Sequence, residues 1–466
     1  MAKTIFAVPP IKNEVGYAQA TQNRQCQYFK DNTFIYPIIP AYFASMVMSQ
    51  PNQEFLWLDG VAEKITQKEF AKVIAEMQPD FIVFEANTMV IKQYIGIINT
   101  LKESFPNIKI ILTGEHYTAM PEEVEKLCKA DYYIKGGKWY TEAFKIVTNQ
   151  DWVGELPIIN RDASRWWLYA YDNGNFREEP ATYTMTAQDC WYRPKQACTF
   201  CTWVHYHPEN KIRSVDDFLK EVEHLINFGF KEFFDDSGTF PVGKWLKEFC
   251  EKMIALGFND HIVWGCNMRF GALQAGELAL MRKAGCRFIL WGFESSNQNT
   301  LDKLSKGYTI DKMRLDLGRA SKVGIWNHLT VMYGYPWEEL EQEKETCEEV
   351  RRLMLEDKAQ SAQATIFMPY PGTKAFQQCQ EQGILLTEDW TKWDMANPVI
   401  KLKYSFDEIV KLQKRTYDVA MHPKFIFNKL KKIRTTSDLK YYSRLSKKVV
   451  DRFGKILSNA EVQIGK

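Results

Sequence analysis

TYTMTAQDCWYRPKQACTFCTW, residues 182–203, decides how the rest of the chain is read. A β-rich run ends at Cys190, and the loop after it supplies Cys198 and Cys201 as a CxxC pair. Three thiols therefore leave one strand end together. Thiolates are the usual protein ligands of iron–sulfur clusters; the close pair can hold one face of a cubane while the third cysteine arrives from the strand side. Three ligands on a four-iron cluster leave one iron open to chelate a small molecule. A zinc knuckle or half-buried cysteines are the alternatives, yet no second CxxC or His pair follows at zinc-finger spacing.

The chain around this stretch has 466 residues, enough for two or three domains, with an ordinary 45% hydrophobic content. Sixty Lys and Arg against 58 Asp and Glu give no global basic excess that would point to nucleic acid. The N-terminus, MAKTIFAVPPIKNE, lacks the apolar core and cleavage site of a signal peptide, and no apolar run is long enough to span a membrane. The seven cysteines outside the triad are scattered, unlike a secreted disulfide framework, which places the chain in the reducing cytoplasm. Fourteen Trp and 22 Tyr would suit a wide apolar pocket, although aromatics more often fill cores.

Before the triad, short apolar or β-branched runs at residues 5–10, 55–58, 81–85, 108–113 and 132–134 alternate with charged amphipathic segments such as 68–77 and 122–129. This pattern predicts a doubly wound parallel α/β sheet over 1–150, whose ligands would sit at the carboxyl ends of the strands. The turns there contain Thr88, Gly114, His116, Gly136 and Gly137. Glycine lets a bulky ligand approach the backbone, and hydroxyls can bond amide or nucleotide groups. A Rossmann-like domain without a cofactor is the alternative. Residues 151–180, with Pro157, Arg161 and the Trp166-Trp167 pair, break the periodicity and read as a linker.

From 181 to 375 the alternation resumes. Strands are expected at 183–187, 232–235, 261–266, 288–293, 327–332 and 362–367, with helices between them as at 215–228 and 244–256. Six such repeats predict a partial parallel (β/α)6 barrel with its chemistry at the carboxyl ends of the strands. Asp235 and Asp236 end the second strand, Arg269 follows the third, and Glu294 and Ser295 end the fourth. Residues 376–466 read as a mostly helical domain. Its stretch 424–455 interleaves Lys429, Lys431, Lys432, Arg434, Lys447 and Lys448 with Phe425, Phe427, Leu430, Ile433, Leu445 and Val449. Such a basic amphipathic helix rests on an anionic membrane, holds an acidic substrate, or covers the barrel with a solvated face.

With Phe200 inside Cys-Thr-Phe-Cys, the strand before Cys190, and Gly292-Phe293-Glu294-Ser295 after it, the chain resembles the radical S-adenosylmethionine (SAM) enzymes that carry an N-terminal cobalamin-binding domain. The resemblance extends to Leu58-Asp59-Gly60, Thr113-Gly114-Glu115-His116, Pro121-Glu122-Glu123 and Gly136-Gly137. One departure is that seven residues separate Cys190 from Cys198, where the family has three. The resemblance implies a [4Fe-4S] cluster on Cys190, Cys198 and Cys201, with SAM on the open iron. Arg269 would pair with the SAM carboxylate, Glu294 and Ser295 would meet its ribose or ammonium, and Asp235 or Asp236 would receive the ammonium. It also implies cobalamin along the first sheet, near Thr88, Gly114, His116, Gly136 and Gly137. Because the Asp-x-His-x-x-Gly loop of cobalamin mutases is absent, His116 reads as an anchoring or packing residue rather than an axial ligand.

The activity implied is methylation of an unactivated carbon in a small-molecule or lipid-like substrate held between the domains, with an electron donor such as flavodoxin or ferredoxin. Oxidative cyclisation or rearrangement without methyl transfer is the alternative within the class, and a non-catalytic cobalamin- or metal-binding regulator the alternative outside it. His205 and His207 would tune the cluster, touch substrate, or cap the surface, while Lys306-Gly307-Tyr308-Thr309 would shape the next helix start.

Overall fold

The computed structural model describes residues 2–20, 26–29, 34–171, 173, 176–188, 190–192, 197–207, 211–274 and 276–444, the side chains of Ala20, Val204 and His205 excepted. Loop residues 193–196 and the tail beyond 444, with Leu445, Lys447, Lys448 and Val449, lie outside the described residues. Thirteen strands are present among those described: β1 Ala2–Val8, β2 Tyr17–Ala20, β3 Cys26–Phe29, β4 Gln53–Asp59, β5 Phe81–Glu85, β6 Lys109–Thr113, β7 Tyr132–Ile134, β8 Ala181–Thr184, β9 Glu232–Asp235, β10 Val263–Met268, β11 Cys286–Glu294, β12 Trp326–Tyr333 and β13 Ser361–Ile366.

The first sheet has the order β4-β1-β5-β6-β7, and every pair in it is parallel. Apolar side chains alternate between its faces: Ile5, Ala7, Ile82 and Phe84 enter one core, Phe6, Trp57, Val83 and Ile111 the other. A strand buried on both faces must be apolar there, as Ile82, Val83 and Phe84 of β5 are. Helices cover both sides. Gln67–Met77, opened by a Thr66/Glu69 capping box, and Ile91–Ser104 lie on one face, with Ile38–Met48 and Trp139–Thr148 on the other. The strand order reverses direction between β1 and β5, opening a crevice at their carboxyl ends. A small antiparallel hairpin, β2 with β3, has no counterpart among the sequence-based expectations.

The second sheet is an open, curled run of six parallel strands, β13-β12-β11-β10-β9-β8, each next to its neighbour in sequence. Its helices start on residues suited to the position. Ser214 accepts from the Asp217 amide to open Val215–Phe228, and Gly229, at φ +101°, closes it.

Residues 151–180 tie the two sheets together. Tyr169 donates to Asp59 Oδ2 at 2.7 Å and accepts from Trp57 Nε1 at 2.9 Å. Arg161 lies against the Tyr36 ring and pairs with the buried Glu221 at 3.3 Å. Trp166 packs edge-on to Phe228 and Phe230, beside the barrel. The chain after β13 divides in two. Tyr370, Phe376, Trp390, Trp393 and Ile400 join a core of the first sheet, whereas Ile409, Leu412, Val419 and Phe425 join the barrel core. No helix among the described residues is long and apolar enough to cross a membrane.

Candidate active site at the mouth of the barrel

An open cavity, about 1450 Å³ counted out to its mouth, lies over the carboxyl ends of the second sheet. Cys190, Cys198 and Cys201 line it together with Arg269, Glu294 and Lys306. Small residues make the room. A Cβ on Gly238 would stand 3.0 Å from Cys190 Cβ, and one on Gly292 would stand 2.8 Å from Glu294 Oε1 and 2.9 Å from Lys306 Nζ. Glu294 itself adopts φ +59°, where the β11–β12 register shifts. Left-handed backbone at a non-glycine residue is costly, and here it directs the carboxylate into the cavity.

The charges are arranged around that carboxylate. Lys306 donates to Glu294 Oε1 at 2.9 Å, and both are buried. Burial disfavours the Lys306 charge; the Glu294 carboxylate, Cys198 and Tyr308 outweigh it and hold the ammonium above its ordinary value. Arg269 donates to the Lys306 carbonyl and lies 3.6 Å over the Tyr192 ring. Burial pushes the Cys198 and Cys201 thiols up, with the neighbouring cysteines adding to the shift. Thiols in such surroundings become thiolates when a cation compensates them. Among the described residues no three His, Cys, Asp or Glu side chains form a group for a single metal ion. A multi-iron cluster bound from one side, with a cationic sulfonium amino acid beside Lys306, Glu294 and Arg269, fits this donor set.

Other expected contacts fall elsewhere. Asp235 is buried, and its carboxylate accepts from Thr184 Oγ1, Thr186 N, Thr186 Oγ1 and Ser237 N at 2.8–3.2 Å, so it ties the end of β8 to β9. Ser295 is buried against Glu338 and Thr346. Asp236 lines a second space, the crevice between β1 and β5. That crevice, about 910 Å³ to its mouth, has walls of Tyr36, Tyr94 and Tyr169 with Gln19, Asp59, Glu85 and Asn87 among them. An apolar wall interrupted by amides and carboxylates fits a macrocycle that carries amide side arms, such as cobalamin.

The five turn residues expected near cobalamin pack against protein instead of lining this crevice. Thr88 donates to Glu115 and lies 3.2 Å from His116 Nδ1. His116 is wholly buried, edge-on to Trp390, with no hydrogen-bond partner for Nε2 among the described residues. A Cβ on Gly114 would meet the Ala86 carbonyl oxygen at 2.1 Å. Gly136 faces the Tyr206 carbonyl, and Gly137 donates to it at 2.5 Å, so the short helix Trp203–Tyr206 after the cysteines docks on this turn. His207 is buried against Trp203, Tyr206 and Gly137, away from the cavity lining.

Sequence reading missed Lys306 as a site residue. The signal was present, because Lys306 opens the segment read as a helix start, and Thr309 does cap Ile310–Lys322 by accepting from Lys312 N at 3.3 Å. Only the return of this loop under β11 shows that the lysine points inward.

A parallel half-barrel with three thiols at its mouth, joined to a flavodoxin-ordered sheet, defines a class of protein. The Radical SAM superfamily model matches residues 188–350. The chain is 26% identical over 418 residues to an uncharacterized methyltransferase of Pyrococcus horikoshii, covering 82% of this chain and 86% of that one. It is 24% identical over 403 residues to an anaerobic magnesium-protoporphyrin IX monomethyl ester cyclase of Cereibacter sphaeroides, covering 79% and 64%. The structure of the radical SAM methyltransferase TsrM from Kitasatospora setae, with cobalamin and a [4Fe-4S] cluster bound, superposes with a TM-score of 0.63 at 14% identity, covering 89% of this chain and 85% of that one. Residues 188–350 thus match the Radical SAM superfamily, and the chain is similar in fold to a member of it solved with cobalamin and a [4Fe-4S] cluster bound.

Proposed function

We propose that this chain is a cobalamin-dependent radical SAM methyltransferase acting on an unactivated carbon of a small molecule held between the two sheets. The observation that carries the reading is the meeting of Cys190, Cys198 and Cys201 with Arg269, Glu294 and Lys306 around one cavity. The three cysteines would hold a [4Fe-4S] cluster. Arg269 and Lys306 would take the SAM carboxylate and Glu294 its ammonium or ribose hydroxyls, because guanidinium and ammonium donors match carboxylate oxygens and a carboxylate accepts from both other groups. When bound, these cofactors supply the electron that cleaves SAM, the radical that removes a substrate hydrogen, and the methyl group. The protein orients them. Phe200, Met368, Tyr370 and Met395 on the cavity wall would exclude water from the reacting centre. The division into 1–150, 151–180, 181–375 and 376–466, and a reductant such as flavodoxin or ferredoxin, belong to the same proposal.

The Pyrococcus relative's name supports methyl transfer. That of the Cereibacter cyclase favours a second reading, cyclisation without it. Anaerobic purification with iron, sulfide and cobalamin quantification tests the cofactors: about four irons per chain are expected, lost when Cys198 and Cys201 become Ala. S-adenosylhomocysteine formed alongside 5′-deoxyadenosine supports methyl transfer, whereas 5′-deoxyadenosine alone supports the second reading. A protein that binds no iron sinks both.

A further inference from the structure

The described C-terminal helix Pro423–Leu430 is inside out. Towards the barrel it presents polar groups: Asn428 donates to the Leu355 carbonyl at 3.2 Å, Lys429 to the Gln360 carbonyl at 2.8 Å, and the following Lys432 pairs with Asp357 at 2.7 Å. Phe425 is its one buried apolar side chain. The outer face carries Ile426, Phe427 and Leu430, 42%, 55% and 59% exposed, and Met421 in the preceding turn is 57% exposed. Positions 426, 427 and 430 share one side of a helix. A soluble helix places its apolar stripe on the core; this one offers it to the surroundings.

Around that stripe the charge is one-sided. Residues 421–444 contain seven Lys or Arg and a single acidic residue, Asp438, in a chain that is otherwise nearly balanced. Lys424, Lys431, Arg434 and Lys440 have no acidic side-chain partner among the described residues, and Lys431 Nζ lies 4.1 Å over the exposed Phe427 ring. The sequence continues with five more basic and two acidic residues to Lys466.

We infer that this face is a peripheral docking surface for an anionic lipid bilayer. Exposed aliphatic and aromatic side chains would enter the headgroup boundary, with the unpaired basic groups around them meeting lipid phosphates. A second copy of the chain would cover the apolar stripe but set one basic rim against another. Nucleic acid would satisfy the basic groups and leave Met421, Ile426 and Leu430 against its hydrated backbone. The helix lies beside residues 355–360, which lead into β13, and Tyr441 and Tyr442 pack on Trp326 at the start of β12. Docking is therefore at the end of the strands opposite the cavity, leaving the mouth clear. This placement also separates the described tail from any acidic substrate in the cavity.

Flotation of the full chain with vesicles of phosphatidylcholine alone, or doped with phosphatidylglycerol, tests the inference. The wild type is expected to float only with the doped vesicles and to be released by salt. Lys424→Glu, Lys431→Glu and Arg434→Glu together should weaken binding about a hundredfold. Ile426→Ser, Phe427→Ser and Leu430→Ser together should weaken it about tenfold with an unchanged melting temperature. No flotation, equal flotation with neutral vesicles, or binding unaffected by both triple variants would overturn it. So would a dimer that the serine variant dissociates, or a duplex nucleic acid that displaces the vesicles.

Discussion

Asn267 Nδ2 stands 3.4 Å from Asp236 Oδ1, and the pair has one member in each of the two spaces: Asn267 lines the thiol cavity and Asp236 the crevice of the first sheet. Asn267 also donates to the Ser237 carbonyl at 2.9 Å, which fixes the amide. This contact is where the chemistry of the two spaces would have to be kept in register. Asp236→Ala is expected to leave SAM cleavage intact while lowering product formation at least several-fold. The ratio of S-adenosylhomocysteine to 5′-deoxyadenosine measures it, and an unchanged ratio would refute the role.

Lys306 and Glu294 form a buried ion pair, so removing one partner strands the other. Lys306→Ala should cost about 3 kcal/mol of stability and weaken SAM binding by about tenfold or more, with iron content unchanged. Lys306→Arg should restore most of the affinity. Equal SAM affinity in wild type and the alanine variant would confine Lys306 to a structural role.

The turn at Gly137 has no room for a side chain, because a Cβ there would lie 2.1 Å from His207 Cε1. Gly137→Ala is expected to displace the helix that follows Cys201 and to destabilise the chain by about 2 kcal/mol. His207→Ala in the same chain should recover part of the loss. Thermal melting of the two single variants and the double variant reads this coupling directly.

Asp235 gives a pH signature. Burial raises its carboxyl to about 6, against the hydrogen bonds from Ser237 and Thr186. The folded state therefore holds the proton more tightly than the unfolded state. Its contribution to stability is full below the unfolded value near pH 4 and is lost as pH rises through about 6, a change of about 3 kcal/mol. Asp235→Asn lacks this titration, so the stability difference between wild type and variant should move against the wild type between pH 4 and 7. Denaturant unfolding at both pH values measures it; a constant difference would contradict the assignment.

Much of the architecture was legible because local pattern and burial coincide. The run Phe81–Glu85 and the helix Val215–Phe228 sit where periodicity places them, the helix opened by the Ser214 cap. The β2–β3 hairpin was not legible, since Tyr17–Ala20 and Cys26–Phe29 carry neither a hairpin turn signature nor strong alternation. In the site, the three cysteines announce themselves by spacing, whereas the hydrogen bonds that hold Asp235 to Thr184 and Thr186, and Ser295 to Glu338 and Thr346, come from segments distant in the chain.

The sequence by itself determined the alternation of strands and helices, the parallel character of the two large sheets and the gathering of three thiols at one strand end, because periodicity, apolar runs and cysteine spacing are local properties. Only the tertiary structure decided that Lys306 turns into the cavity, that His116 and Gly137 pack against protein, and that the apolar stripe of Pro423–Leu430 faces outward. Each of these depends on which distant segment arrives opposite the residue, and spacing along the chain carries no record of that.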